Sequence, residues 1–439
     1  MKWWQIVFGL AIIFVASAKV RFDYHRVYEV FIENSDQLRE LQKMESRPDG
    51  YIFWESPVQT NMKVRIVVPP HRAKSFERKV LRLNLENTIV IDNVQEVIDN
   101  ERPSRRKREG FGWEDYYTLD EMYAWFDELV SEYGSVLKIE QYGESYEERD
   151  MKALVLSKQP NNPGIFLESH IHAREWITSA TTTWILNELL TSNDPEVQYL
   201  AENFDWYILP VVNPDGLHYT KHDNRMWRKN RNPYSILCYG VDLNRNFPGH
   251  WMEGGASNNP CSDVFAGPEA GSEIETKNVM NYFLKYKANI DLYLSFHSYG
   301  QYMLLPYGFE NAEKADNYYD WMDITEAAAI TLSQRNNTFY TIGTTADVLY
   351  VASGLSIDWA HSEHNVPIAV TYEFRDQGEN GFILPADQII PNAEEVLDSL
   401  IVFMQKGEEL LPMNVFVQFE FEINVRKMFK IFLLHGKRI

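Results

Sequence analysis

The sequence predicts an α/β protein with two folded units, a small α+β unit followed by one large α/β domain. Three observations carry this reading. The chain has 439 residues and 45% apolar content, enough to bury a sizeable core in more than one unit. Residues 19–100 run through strand and helix periodicities in the order βαββαβ. Past Gly112, longer helical and strand-like segments alternate, as they do when helices flank a sheet.

In the small unit, residues 26–32 alternate as a strand, and 35–44 form a helix capped at its amino end. Residues 51–54 and 63–68 are two further strands, the second stopped by Pro69-Pro70. Helical spacing over 71–83 and a last strand at 88–91 complete the order. That order is ferredoxin-like, an antiparallel sheet with two helices on one face. In the large domain, residues 119–133 form an amphipathic helix, 152–156 and 164–168 strands, and 177–190 a helix. Residues 206–212 read as a strand ended by the turn Asn213-Pro-Asp-Gly216. Apolar runs at 290–296 and 368–372 are strand-like, and a helix covers 393–411. No internal repeat or low-complexity segment interrupts the pattern.

A net charge of −21 argues against nucleic acid as a partner, because neutralising phosphates takes clusters of Lys and Arg. The first 18 residues have the form of a secretory leader, with Lys2, an apolar run from Trp3 to Val15 and the small residues Ala16-Ser-Ala18. The alternative is a buried first helix. The apolar run is too short for a stable membrane span. Secretion fits the cysteine count: Cys238 and Cys261 are the only two, in a Gly/Asn/Pro-rich stretch where a bridge would contribute about 3 kcal/mol. Two reduced core thiols are the alternative. Asn336-Asn-Thr338 is a glycosylation sequon. The basic run Arg105-Arg-Lys-Arg108 lies between the two units, where it is either a solvated charge cluster or a protease-cleaved junction.

His172 and Glu175 stand three residues apart, directly after one apolar strand-like run and before a helix-like one. Alone, this pair is close to chance. Two partners downstream strengthen it: His297 ends the apolar run at 290–296, and Glu373 follows the run at 368–372. Hydrolytic zinc takes three protein ligands of the His, Glu or Asp type and leaves a fourth position open. The ion would lower the pKa of a water and polarise a carbonyl, and a second carboxylate would be needed as base. The helix-borne H-E-x-x-H motif is absent, so the site must be assembled from distant segments. Ligands just past strand ends agree with the rule that α/β sheets hold their sites outside the carboxyl ends of strands.

Several blocks then stand in one order: His172-Ala-Arg-Glu-Trp176, Asn224-Arg-Met-Trp-Arg-Lys-Asn-Arg231, Cys238-Tyr-Gly-Val-Asp-Leu-Asn-Arg-Asn246, Phe296-His-Ser-Tyr299, Tyr350-Val-Ala-Ser-Gly354 and Thr371-Tyr-Glu-Phe-Arg-Asp376. With them, the chain from Tyr24 to Leu411 resembles a secreted zinc metallocarboxypeptidase of the carboxypeptidase A/B family, made as a proenzyme. The resemblance implies the zinc carboxypeptidase fold, a large mixed sheet flanked by helices, with one Zn2+ per chain held by His172, Glu175 and His297. It matches Glu373 to the general base and Arg231 to the residue that stabilises the oxyanion. Asn244 and Arg245 match a clamp for the free carboxylate of the substrate, Arg174 a further positive residue of the cleft, and Tyr350 a mobile tyrosine that closes over it.

In the resemblance, the floor of the side-chain pocket falls at Ile357, which cannot pair with a basic side chain, so aliphatic and aromatic carboxyl-terminal residues are expected to be released. Leu355 and Thr345 depart from the usual glycine and apolar residue of relatives. The resemblance divides the chain into a leader (1–18), an activation domain (19–108), a catalytic domain (109–411) and an atypical extension (412–439). Cleavage after Arg108 would leave a mature chain starting at Glu109, cut by a furin-like or trypsin-like protease. The extension alternates like a strand in its first half and is basic and apolar in its second, and no role is assigned to it. A monomer is expected, acting outside the cell or in a digestive lumen on peptides and proteins. A catalytically silent relative that merely binds free carboxyl ends is the alternative function, but such a chain would be expected to have lost a ligand or the base.

Overall fold

The computed structural model describes residues 19–47, 49–101 and 110–410. The leader, the basic junction at Arg105 to Arg108 and the extension 412–439 lie outside the described residues.

Alternation builds the small unit as expected. Strands β1 (Arg26–Ile32), β2 (Ile52–Phe53), β3 (Met62–Val68) and β4 (Glu86–Ile91) form an antiparallel sheet in the order β2-β3-β1-β4. One face carries Tyr28, Val30 and Ile32 from β1 and Val64, Ile66 and Val68 from β3. These pack against Leu41 and Met44 of the helix Ser35–Glu45 and Phe76 and Val80 of the helix Ala73–Leu83. Asn34 opens the first helix with a complete capping box to Gln37. Because strand side chains alternate, Val27 and Val67 point the other way. They meet Trp54 and, from the large domain, Met226, Phe382 and Ile383. The sheet's second face is therefore an interface.

The large domain holds eight further strands: β5 (Leu137–Glu144), β6 (Asp150–Leu156), β7 (Gly164–Ser169), β8 (Asp205–Leu209), β9 (Ile290–Ser298), β10 (Tyr302–Leu305), β11 (Thr341–Thr344) and β12 (Ile368–Phe374). Their order is β11-β10-β12-β9-β7-β8-β6-β5, parallel from β12 through β8 and antiparallel at β10/β12, β6/β8 and β5/β6. Helices Leu119–Tyr133, Trp176–Thr191, Tyr318–Asn336 and Ile389–Leu410 cover one face, and Ile274–Tyr286 and Ser356–His364 the other. Covered on both sides, β7 and β9 are buried along their whole length, which is why their sequences are nearly unbroken apolar runs. The strand expected over 206–212 stops at Leu209, because Pro210 has no N–H to give to a ladder. Cys238 and Cys261 are joined in a disulfide. Among the described residues, no helix is long and apolar enough to cross a membrane.

Candidate metal centre

The carboxyl ends of β7, β9 and β12 meet at the centre of the sheet. The chain leaves β7 at Ser169, turns through His170 at φ 56° and brings His172 and then Glu175 to the start of the helix Trp176–Thr191. Glu175 occupies that helix's N-cap, yet its side chain makes no capping bond. It turns instead to the two imidazoles. His297 lies next to last in β9, and Glu373 sits opposite it in β12 by strand register. Thus four residues spread over two hundred positions of sequence become neighbours.

His172 Nδ1 is 2.8 Å from Glu175 Oε1, and His297 Nδ1 is 3.1 Å from His172 Nδ1 and 3.3 Å from Glu175 Oε2. Donor atoms about 2.0–2.1 Å from a tetrahedral zinc lie roughly 3.3 Å from one another, so the three converge at a spacing close to that of a metal site. Their other ring nitrogens are engaged elsewhere, His172 Nε2 with Asp242 Oδ1 at 2.9 Å and His297 Nε2 with Ser295 Oγ at 3.0 Å. This leaves lone pairs on both Nδ1 atoms and the Glu175 carboxylate aimed at one point, a set that fits a divalent cation. Burial would raise the Glu175 carboxyl, but His172 and His297 outweigh it and hold it below the ordinary carboxylate range. Burial, reinforced by Arg228, keeps His172 below its usual value and so in the neutral form that a metal needs. Glu373, half-buried at the cavity wall, is pushed up to about 8 by burial, with His297 pulling it back and Glu175 adding to the rise.

A cavity of about 530 Å³ opens over this group and is lined by His172, Glu175, His297, Glu373, Arg228, Asn244, Arg245 and Tyr350. Three expected residues are not among them: Arg231, Ile357 and Arg174. Arg231 is turned away: its guanidinium lies over the rings of Tyr219 at 3.7 Å, Trp227 at 4.6 Å and Tyr239 at 5.0 Å. Arg228, three residues earlier, occupies the cavity wall, with Nη1 3.7 Å from Glu175 Oε1. Asp242 fixes it, accepting from Arg228 Nη2 at 2.8 Å and Nε at 3.1 Å while its other oxygen meets His172. Ile357 belongs to the core under the sheet's second face and is 1% exposed. Among the apolar and small residues that do line the cavity are Leu304, Thr345, Ala352, Leu355 and Thr371.

The small unit roofs the cavity. Trp54, Glu55, Met62, Lys63 and Arg65 contribute to its lining. Arg65 donates to Tyr299 Oη at 3.2 Å and to Gln377 O at 2.8 Å, and Tyr299 Oη in turn donates to Glu55 at 2.5 Å. Arg174 reaches this roof, donating to Trp54 O at 2.9 Å and Phe53 O at 3.3 Å over the ring of Phe382, and it also lies 3.5 Å from Asp263 of the large domain. Tyr350 packs against the small unit's core, and Val351 N donates to Gln59 at 3.4 Å. At the far edge, Arg225 and Glu101 form a buried ion pair between the two units.

Residues 122–399 match the family model described as zinc carboxypeptidase, and residues 28–101 match the one described as carboxypeptidase activation peptide. The chain belongs to the zinc carboxypeptidase family. It is 42% identical over 414 residues to zinc carboxypeptidase A 1 of Anopheles gambiae, covering 92% of this chain and 95% of that protein. To carboxypeptidase A2 of Mus musculus it is 35% identical over 390 residues, covering 87% and 93%. Among solved structures, carboxypeptidase A from Helicoverpa armigera superimposes with a TM-score of 0.79 at 27% identity, covering 89% of this chain and 99% of that one. The protein is thus a zinc-dependent metallocarboxypeptidase made as a zymogen, hydrolysing the carboxyl-terminal peptide bond. Of the residues lining its cavity, Arg228 and the Asp242 behind it were not singled out from sequence. The signal lay in the same two blocks: an arginine flanked by two others, and an acid two residues before Asn244.

Proposed function

We propose that His172, Glu175 and His297 hold one zinc ion and that Glu373 is the base beside it. The supporting observation is the convergence of two Nδ1 atoms and one carboxylate within 2.8–3.3 Å, next to an acid whose register places it against His297. An ion held there would supply a water of lowered pKa and a polarised scissile carbonyl, chemistry that needs no covalent intermediate. Glu373 removes the proton from the attacking water and delivers it to the leaving amine. Arg228, rather than Arg231, faces the developing oxyanion, oriented by its two bonds to Asp242. Asn244 and Arg245 grip the terminal carboxylate, an arrangement suited to the planar guanidinium fork. Arg174 and Tyr350 join the substrate cleft once the roof has gone, and closure of Tyr350 excludes water.

Among the described residues, the only acids lining the cavity are Glu55 of the roof, Glu175 and Glu373, so nothing in the pocket wall can neutralise a basic side chain. Aliphatic and aromatic carboxyl-terminal residues of peptides and proteins are therefore the preferred leaving residues. The chain is secreted after loss of residues 1–18, remains monomeric and is activated by cleavage after Arg108, freeing residues 19–108 from the catalytic domain 109–411. The test is turnover of blocked dipeptides ending in Phe, Leu, Arg and Glu by the cleaved chain, with and without a chelator. Phe and Leu substrates are expected to be cleaved and the chelator to stop them. Preference for Arg would overturn the pocket reading, and indifference to the chelator would overturn the zinc reading.

A further inference from the structure

Glu168 takes no part in the chemistry above, yet it lies in β7 with 0% exposure, close behind the metal centre. A buried carboxyl group needs donors, and in Glu168 one oxygen has them while Oε2 makes no hydrogen bond among the described residues. Its Oε1 accepts from two hydroxyls, Ser295 Oγ at 2.9 Å and Ser356 Oγ at 2.5 Å. Ser295 is its cross-strand neighbour in β9, and Ser356 opens the helix Ser356–His364. Each serine leads into the site by a second contact. Ser295 Oγ is 3.0 Å from His297 Nε2, and Ser356 N donates to Asn244 Oδ1 at 2.9 Å.

The direction of these bonds matters. A serine hydroxyl has one proton, and Ser295 commits it to Glu168, so only lone pairs remain for His297. Nε2 of that ring must then be the donor. Its Nδ1 is left unprotonated, facing Glu175 and His172. Asn244 Nδ2, at 3.3 Å from the same Nε2, is a donor and would pair with the opposite tautomer. The shorter Ser295 contact decides between them. His172 receives the equivalent support directly from Asp242, whereas His297 receives it through a serine.

We propose that Glu168 is a positioning residue that fixes the tautomer of His297 through Ser295 and steadies the Asn244 clamp through Ser356, tying zinc affinity to grip on the substrate's carboxylate. This rests on His172, Glu175 and His297 being the zinc ligands. The test compares the zinc dissociation constant, by competition with a chromophoric chelator, of the full-length parent and its Glu168→Leu, Glu168→Gln and Ser295→Ala variants. Leu and Ala remove the relay and are expected to weaken zinc binding about 10–100-fold, while Gln keeps an acceptor oxygen and stays within about threefold of the parent. With zinc saturating and the junction cleaved, Glu168→Leu is further expected to show a severalfold higher KM than Ser295→Ala. Ser295→Ala binding zinc as the parent does would overturn the relay, and this variant decides even if Glu168→Leu fails to fold. A Gln variant as impaired as Leu would show that charge, not an acceptor, is what matters, and equal KM values would overturn the tie to the clamp. A parent that binds no zinc would instead remove the ligand assignment on which the proposal stands.

Discussion

Three arginines at intervals of three, Arg225, Arg228 and Arg231, do three different things. Arg225 joins the two units through Glu101, Arg228 faces the cavity from Asp242, and Arg231 stacks on three aromatic rings. Nothing in a one-dimensional pattern separates them, since each is a cation in the same short block, and the partner that decides is distant in sequence. The group His172, Glu175 and His297 was legible because both histidines follow apolar runs that read as strands, with Glu175 three residues past the first. An aimed positive charge at the oxyanion is worth roughly 10²–10³ in kcat. Arg228→Ala is therefore expected to lower kcat/KM by that factor in the cleaved chain. Arg231→Ala, which loses stacking against three partly buried aromatics and a 3.9 Å ion pair to Glu147, is expected to change kcat/KM by less than about tenfold. Steady-state kinetics on one Phe-terminated substrate checks both, and the reverse ranking would restore the sequence-based assignment.

Among the elements, β7, β9 and β12 were readable because burial on both faces leaves long apolar runs. The edge strand β5 was not, since most of its residues are at least partly exposed and its pattern resembles a polar surface. Nor was β11, four residues long with Gly343 inside it. The loop ahead of the helix Ser356–His364 lines the cavity with Ala352 and Leu355. Gly354 there has φ 71°, and a Cβ on it would come within 2.3 Å of Arg245 O, so the loop packs closely against the backbone of Arg245. Leu355, next in sequence, is thereby held at the cavity wall beside Thr345. Removing its side chain enlarges the pocket, and filling an apolar pocket discriminates by about 10–200-fold. Leu355→Gly is expected to raise the ratio of kcat/KM for Phe over Val termini by about tenfold. An unchanged ratio would place the specificity wall elsewhere, with Ile357 the next candidate.

At the scale of the whole molecule, the apolar second face of the small sheet and a set of polar ties hold the roof over the cavity. The alternation of Val27 and Val67 was visible in the sequence, but their partners Met226 and Phe382 were not, because an interface between units leaves no period to read. Arg225 and Glu101 are 1% and 2% exposed, and breaking a buried pair from one side costs about 3–5 kcal/mol. Glu101→Ala is expected to loosen the roof and give the uncleaved chain measurable activity on a blocked dipeptide, at least tenfold above the parent zymogen. A variant as silent as the parent would show that the apolar face alone keeps the cavity shut. The small unit thus covers the cavity, taking hydrogen bonds from Arg174, pairing Glu101 with Arg225 at its edge and packing against Tyr350.

All of this depends on three ligands holding zinc beside an acid that does not bind it. The most direct measurement is zinc content and turnover on the same cleaved sample of Glu373→Gln. The account predicts one zinc per chain, as in the parent, with kcat reduced by about 10²–10⁴. Loss of the metal, or turnover equal to the parent's, would contradict it.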